Sequence, residues 1–203
     1  AIGSMMLGVS IWSVSIPLAE VAQIFLKSFF NVEFASAVED STTNIVMKSR
    51  FPRVVLAFFV GASLAICGAA FQGLLKNPLA DPYTLGVSSG ASFGAVLVIF
   101  YGITIFGPFT LPIFAITGGF LTILVVILFA RLVKNTLSME TIILTGIIIS
   151  SFLGSLLSLM VALSGEELRQ IIHWLLGSVS MRGWNYILMI IPFFVIGSLV
   201  LLF

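Results

Sequence analysis

Four stretches of the chain contain no Asp, Glu, Lys or Arg: residues 54–75, 82–130, 141–165 and 183–203. A helix needs ~20 apolar residues to cross the hydrocarbon core of a bilayer. Three of these stretches are of that length, and each predicts one spanning helix. The stretch 82–130 is too long for one span and is punctuated by Gly102, Gly107, Pro108 and Pro112. It reads as two spans, about 89–105 and 110–132. Residues 1–19 are also uncharged, but Gly3, Gly8 and Pro17 break them, with Ser10, Ser13 and Ser15 between. With no basic segment ahead of it, this run does not read as a signal peptide. It reads as the end of a span followed by a short helix entered at Ser15. Phe203 closes another apolar run, so both ends predict a piece of a longer protein.

The polar positions between spans are specific. Lys76-Asn77-Pro78-Leu79-Ala80-Asp81-Pro82 predicts irregular backbone, because each proline lacks an N–H and restricts the residue before it. Such backbone at membrane depth is tolerated where protein or a water-filled cavity satisfies it. The segment is therefore either an ordinary turn or the wall of a polar path. Ser164-Gly165-Glu166-Glu167 fits a capping box opening a short amphipathic helix, with Leu168, Ile171, Ile172, Leu175 and Leu176 on its apolar face and Gly177 at its end. Arg169, Gln170 and His173 occupy the other face, and His173 reads as a surface residue. Small residues recur every fourth position in two spans: Gly61, Ala65, Ala69 and Gly73, then Gly146, Ser150, Gly154 and Ser158. Such rows let helix backbones approach closely. The second row, with Ser151 and Ser155 beside it, also suits the lining of a path. Arg50 and Arg53 flank Phe51-Pro52 just before a span. They suit either snorkelling to the interface or a fixed pair of guanidinium forks for a partner's carboxylates.

Composition agrees with this pattern. The chain has 203 residues, 60% hydrophobic and 8% charged, with mean hydropathy +1.23. A soluble domain has ~25% charged residues, so soluble and disordered classes are excluded. A net charge of +1 offers no field for nucleic acid. Cys67 is the single cysteine, which excludes a disulfide framework or a cysteine zinc site; no metal or cofactor is expected. Gly86-Val87-Ser88-Ser89-Gly90 matches a hydrolase pattern but lacks its strand and its His-acid partnership. No phosphate-binding loop of the G-x-x-x-x-G-K-[ST] form occurs. The fold class is therefore all-α, a polytopic transmembrane helical bundle of about five spans plus the end of a first. Residues 1–203 form one transmembrane domain.

An ordered series runs through Arg50-Phe51-Pro52-Arg53, Gly61-Ala62-Ser63-Leu64-Ala65, Gly68-Ala69-Ala70-Phe71-Gln72-Gly73, Asn77-Pro78-Leu79-Ala80-Asp81-Pro82 and Leu85-Gly86-Val87-Ser88-Ser89-Gly90-Ala91. It closely resembles the FecCD-type permeases, the membrane subunits of ABC importers for iron-siderophores, haem and cobalamin. Leu144-Thr145-Gly146-Ile147 and Trp174-Leu175-Leu176-Gly177-Ser178 match later landmarks of that family. The resemblance implies the N-terminal part of a ten-helix permease, running from the end of the first helix into the sixth. It also implies a cytoplasmic N-terminus. A count of Lys and Arg by loop points to the opposite orientation, and the family's orientation is preferred.

By the same resemblance, Arg50 and Arg53 meet carboxylates of an extracytoplasmic substrate-binding protein. Asn77 and Leu79 match one cytoplasmic gate, and Ser138 and Met139 a second, where Met139 departs from the small polar residue often found. Gly146, Ser150, Gly154 and Ser158 line the path at the axis of a permease dimer, and 166–176 is a short helix near its mouth. The partners implied are ATPase subunits, the binding protein, a second permease subunit as a homodimer, and the bilayer. The membrane is the bacterial or archaeal cytoplasmic membrane, and the chain is not itself an enzyme. Iron-siderophore is the substrate favoured by family frequency. A stand-alone channel or secondary transporter competes, but should place ionisable residues within its spans. An intramembrane enzyme would need paired catalytic groups.

Overall fold

Long uncharged runs rich in Leu, Ile, Phe and Ala can satisfy their backbone internally by coiling into helices, and most of the described residues do so. The structure, a computed structural model, describes residues 2–11, 15–30, 32, 39–78, 81–134, 138–179 and 183–202. These form an all-α fold of nine α-helices: α1 Ile2–Ser10, α2 Leu18–Phe30, α3 Asp40–Ile45, α4 Phe51–Leu75, α5 Val87–Phe100, α6 Thr110–Lys134, α7 Met139–Leu163, α8 Leu168–Leu176 and α9 Trp184–Leu202. A π-helical turn, Val46–Arg50, joins α3 to α4 without a break. The continuous helix Asp40–Leu75, with Gly107–Leu132, Met139–Leu163 and Trp184–Leu202, is long and apolar enough to cross a membrane.

The chain divides into two compact units, residues 1–66 with 179–203 and residues 67–178. In the first, Val9, Ile16, Val21, Ile24 and Val46 form the core, flanked by Phe25, Met47, Phe51 and Val54. The link between α1 and α2 is held by reciprocal bonds. Ile16 N–H donates to Ser10 O at 3.1 Å, and Ser10 Oγ donates to Ile16 O at 2.6 Å. Pro17 then accepts from Glu20 and Val21 N–H and starts α2, while Glu20 in its first turn and Lys27 in its last suit the helix dipole.

In the second unit, α5 and α6 meet through glycine. A Cβ on Gly94 would collide with Phe114 O, and one on Gly118 with Gly90 O. Only residues without a side chain permit this approach. Further along, Val96, Ile99 and Ile171 join Phe100, Leu111, Leu157, Met160, Val161 and Trp174 in a core that anchors α8.

Two helix boundaries differ from the sequence expectation. The apolar run predicts a span to residue 105, but α5 stops at Phe100. Gly102, at φ +62°, closes it: Gly102 N–H donates to Ile99 O and Ile103 N–H to Val98 O. This paired closure satisfies the last carbonyls and turns the chain away. At 14 residues, α5 is ~21 Å long, short of a bilayer core. Ser164 does not open α8 as the capping box predicts. Its Oγ donates to Val161 O at 2.7 Å and closes α7, and α8 begins after a turn, at Leu168. On its apolar face Ile171 is buried, and Ile172, Leu175 and Leu176 are exposed.

Candidate functional site

Three places gather the residues that the sequence singles out. The first is the start of α4, in the first unit. Arg50 is buried, 5% exposed, and its Nη1 donates to Val9 O at 3.0 Å and Ser10 O at 3.4 Å. Those carbonyls end α1, where the helix dipole is negative and the acceptors have no helical partners. Arg53 is partly exposed on the next turn. Arg50 is thus buried and Arg53 partly open.

The second place is the link between α4 and α5. It begins with Lys76 at φ +47°. Lys76 N–H donates to Gly73 O and Asn77 N–H to Gln72 O, the closure seen again at Gly102 but built here on a side-chain-bearing residue. Gln72 Nε2 donates to Pro78 O at 2.9 Å. Asp81 Oδ1 accepts from Thr84 N–H at 2.7 Å, and Thr84 Oγ1 donates to Asp81 O at 2.8 Å. Both described ends of the predicted irregular segment are therefore hydrogen-bonded. Leu79 lies outside the described residues. Leu75 and Leu85, at the two ends of the link, pack with Ile142 and Ile143 near the start of α7. The described part of the link carrying Asn77 and the start of α7, with Ser138 and Met139, thus share one end of this unit. Ser138 caps α7: its Oγ lies 2.7 Å from Thr141 Oγ1 and accepts from Thr141 N–H at 3.4 Å. Met139, the first helical residue, is exposed.

The third place is α7. Residues four apart drift ~40° around a helix, so a row of four does not stay on one face. Gly146 lies against the link, where a Cβ would come 2.7 Å from Thr84 O and 2.9 Å from Leu85 Cα. A Cβ on Gly86, at φ +81°, would come 2.9 Å from Ser150 Oγ and 3.3 Å from Thr122 Cγ2. Ser150 Oγ is buried and has no hydrogen-bond partner. Gly154 has open space beside it and Ser158 is exposed. The predicted row thus runs from a packed face to an open one. Ser151, Ser155 and Ser158 share the open face, and Ser151 and Ser155 donate to Ile147 O and Ser151 O.

Sequence reasoning missed the glycine contact between α5 and α6. Its signal is the row Gly86, Gly90 and Gly94, spaced by four residues like the rows in α4 and α7. In α4, by contrast, nothing lies within 4 Å of a Cβ placed on Gly61 or Gly73.

A family model described as the FecCD transport family matches residues 1–203. The chain belongs to the FecCD transport family. It is 52% identical over 201 residues to an uncharacterized ABC transporter permease protein of Bacillus subtilis, covering 98% of this chain and 57% of that protein. It is 34% identical over 198 residues to the molybdate import system permease protein of Haemophilus influenzae, covering 96% and 56%. Among solved structures it is similar to a metal-chelate type ABC transporter in an inward-facing conformation, with TM-score 0.76, 30% identity, and 99% of this chain and 58% of that chain covered. This FecCD-family chain therefore spans somewhat over half the length of the relatives it matches.

Proposed function

We propose that this chain is the N-terminal part of the permease subunit of an ABC importer in a bacterial or archaeal cytoplasmic membrane, moving an iron-siderophore chelate. The observation that carries the reading is the family match along the whole chain, joined to helices of membrane length. Transport energy comes from a partner ATPase, and solute from an extracytoplasmic binding protein that docks at the start of α4, by Arg50 and Arg53. A second copy of the permease completes the path. The link at Asn77 and Leu79 and the turn at Ser138 and Met139 form the cytoplasmic gate, and their common end of the second unit supports this. The open face of α7, with Gly154 and Ser158, lines the path, while Gly146 and Ser150 seat α7 against the link. The names of its relatives span molybdate and metal-chelate transport, so the chelate is the part most in need of testing.

The test is uptake into proteoliposomes holding the full-length permease with its ATPase and binding protein. ATP-dependent accumulation of a labelled ferric siderophore is expected. Accumulation of haem, cobalamin or molybdate instead would keep the permease and change its cargo. Uptake driven by an ion gradient without ATP would replace the reading with a secondary transporter.

A further inference from the structure

Connections between helices ordinarily run through water. The one between α5 and α6 reads Tyr101-Gly102-Ile103-Thr104-Ile105-Phe106-Gly107-Pro108-Phe109, inside the charge-free stretch 82–130. Tyr101, Ile105, Phe106 and Phe109 are all exposed. The backbone beneath them is tied. Gly102 closes α5, Gly107 N–H donates to Thr104 O at 3.2 Å, and Phe109 N–H donates to Phe106 O at 3.2 Å within a 3-10 turn over Gly107–Phe109. Phe106 N–H donates to Oγ1 of Thr110, a buried residue, at 2.8 Å. The exposed apolar surface is therefore built into the fold, and a surface of this kind needs a cover.

Depth identifies the cover. Gly94 faces Phe114 and Gly118, and Gly90 faces Gly118 and Thr122, so the two helices are antiparallel and α5 ends level with the start of α6. On α6, Ile113, Ile116, Phe120, Leu124 and Leu128 are exposed. The three-residue step from Ile113 to Ile116 offsets the drift of the four-residue steps and keeps them on one face. Phe109 carries that face from the span into the loop. At the far end, exposed Arg131 is the first charged residue after Asp81. From Phe109 to Arg131 the helix rises ~33 Å at 1.5 Å per residue. A hydrocarbon core is ~30 Å thick, with ~5–8 Å of headgroup layer on each side. With Arg131 at one boundary, Phe109 and the loop reach the other, the level at which amphipathic aromatic rings concentrate. A protein partner recognised by charge finds no ionised group in the loop.

We propose that residues 101–109 are a preformed lipid anchor: Tyr101, Ile105, Phe106 and Phe109 enter the boundary between headgroups and acyl chains and fix the depth of α5 and α6. The occupant of this surface is lipid, neither the binding protein nor another segment of the permease. Because the two helices meet backbone to backbone at Gly94 and Gly118, one anchor serves both. The anchor requires only that α6 spans the membrane, and is independent of the cargo and the docking proposed above.

The experiment places a nitroxide on a single cysteine, Ile105→Cys, Phe106→Cys or Phe120→Cys, in the full-length permease with its other cysteines replaced, in phosphatidylcholine nanodiscs. Collision with oxygen, which concentrates in hydrocarbon, is compared with collision with a water-soluble nickel chelate. The Phe120→Cys label is expected to meet oxygen and almost no nickel. Labels at 105 and 106 are expected between that and a free nitroxide in buffer, and unchanged when the binding protein is added. Nickel collision at 105 and 106 equal to that of the free nitroxide would put the loop in water and overturn the anchor. Labels reached by neither probe would lie under another part of the permease, and collisions lost only on adding the binding protein would mark a docking surface. Either result overturns the lipid assignment. In a second measurement, Phe106→Ser with Phe109→Ser is expected to draw a label at Ile113→Cys toward water, lowering its oxygen and raising its nickel collision. An unchanged ratio there would overturn the fixing of depth. Should that double variant fail to fold, the single labels still decide whether lipid covers the loop.

Discussion

Ser150 and Lys76 each hold a local arrangement that a single substitution can improve. The Ser150 hydroxyl is buried without a partner, and a buried polar group in that state costs ~1–3 kcal/mol. Ser150→Ala should therefore leave stability unchanged or raise it by up to ~1 kcal/mol, read from thermal unfolding of the full-length protein in detergent. A clear loss would show that the hydroxyl is bonded in the folded protein. Position 150 should also be dry. In a Cys67→Ser background, Ser158→Cys should react with a water-soluble thiol reagent and Ser150→Cys should not, because a dry site disfavours the thiolate and excludes the reagent. Equal labelling would return Ser150 to the open face. Lys76 holds a left-handed conformation that favours glycine. Lys76→Gly should raise stability by roughly 0.5–1 kcal/mol, after allowing for the greater freedom of glycine in the unfolded chain. A decrease would mean that the Lys76 side chain has a role in the link.

Among elements, the contact between α5 and α6 and the surface of α4 make opposite predictions for one kind of change. Gly94→Ala and Gly118→Ala place a methyl group against a neighbouring backbone that cannot give way like a side-chain tip. Overpacking of this sort costs ~1–3 kcal/mol, and these sites belong at the upper end. Gly61→Ala puts its methyl into open space within a regular helix and should gain ~0.5–1 kcal/mol. The comparison is of unfolding temperatures for the three variants in one detergent. A destabilised Gly61→Ala would show that this face of α4 is covered by another helix in the assembled protein. Helix ends follow the same backbone logic. Hydropathy carries α5 on to Ile105, but closure at Gly102 ends it, because the last carbonyls find donors there and apolar side chains do not need a helix to remain apolar.

For the molecule as a whole, the decisive quantity is how little apolar surface it hides. Only 6% of the most apolar window of Met139–Leu163 and of Trp184–Leu202 is buried, and 22% of that in Gly107–Leu132. Exposed Phe, Leu and Ile on this scale require lipid or protein neighbours. The full-length protein should remain in the membrane pellet after alkaline carbonate extraction and enter solution only with detergent. Release by carbonate alone would contradict a spanning topology. Within the first unit, the apolar contacts at the start of α4 are joined by two polar ones, Arg50 donating to the end of α1 and Trp184 Nε1–H donating to Met47 O. Directional bonds of this kind specify a register that interchangeable apolar contacts leave open.

The membrane class, the number of apolar helices and the family were legible in the chain, because charge-free length and ordered motifs are properties of sequence alone. The irregular link after Leu75 was legible too, since proline forbids its continuation as a helix. Which member of a motif does what was decided only in three dimensions. Arg50 and Arg53 are the same residue type three positions apart, and the first is buried on the last carbonyls of α1 while the second stays partly open. Ser150 and Ser158 belong to one sequence row, but the ~40° drift per step carries that row from the packed face of α7 to its open face. Ser164 matches a helix-opening motif, yet its hydroxyl closes the preceding helix because Val161 O lies within reach. Each of these outcomes depends on where a distant or competing backbone group stands, and a local pattern cannot contain that position.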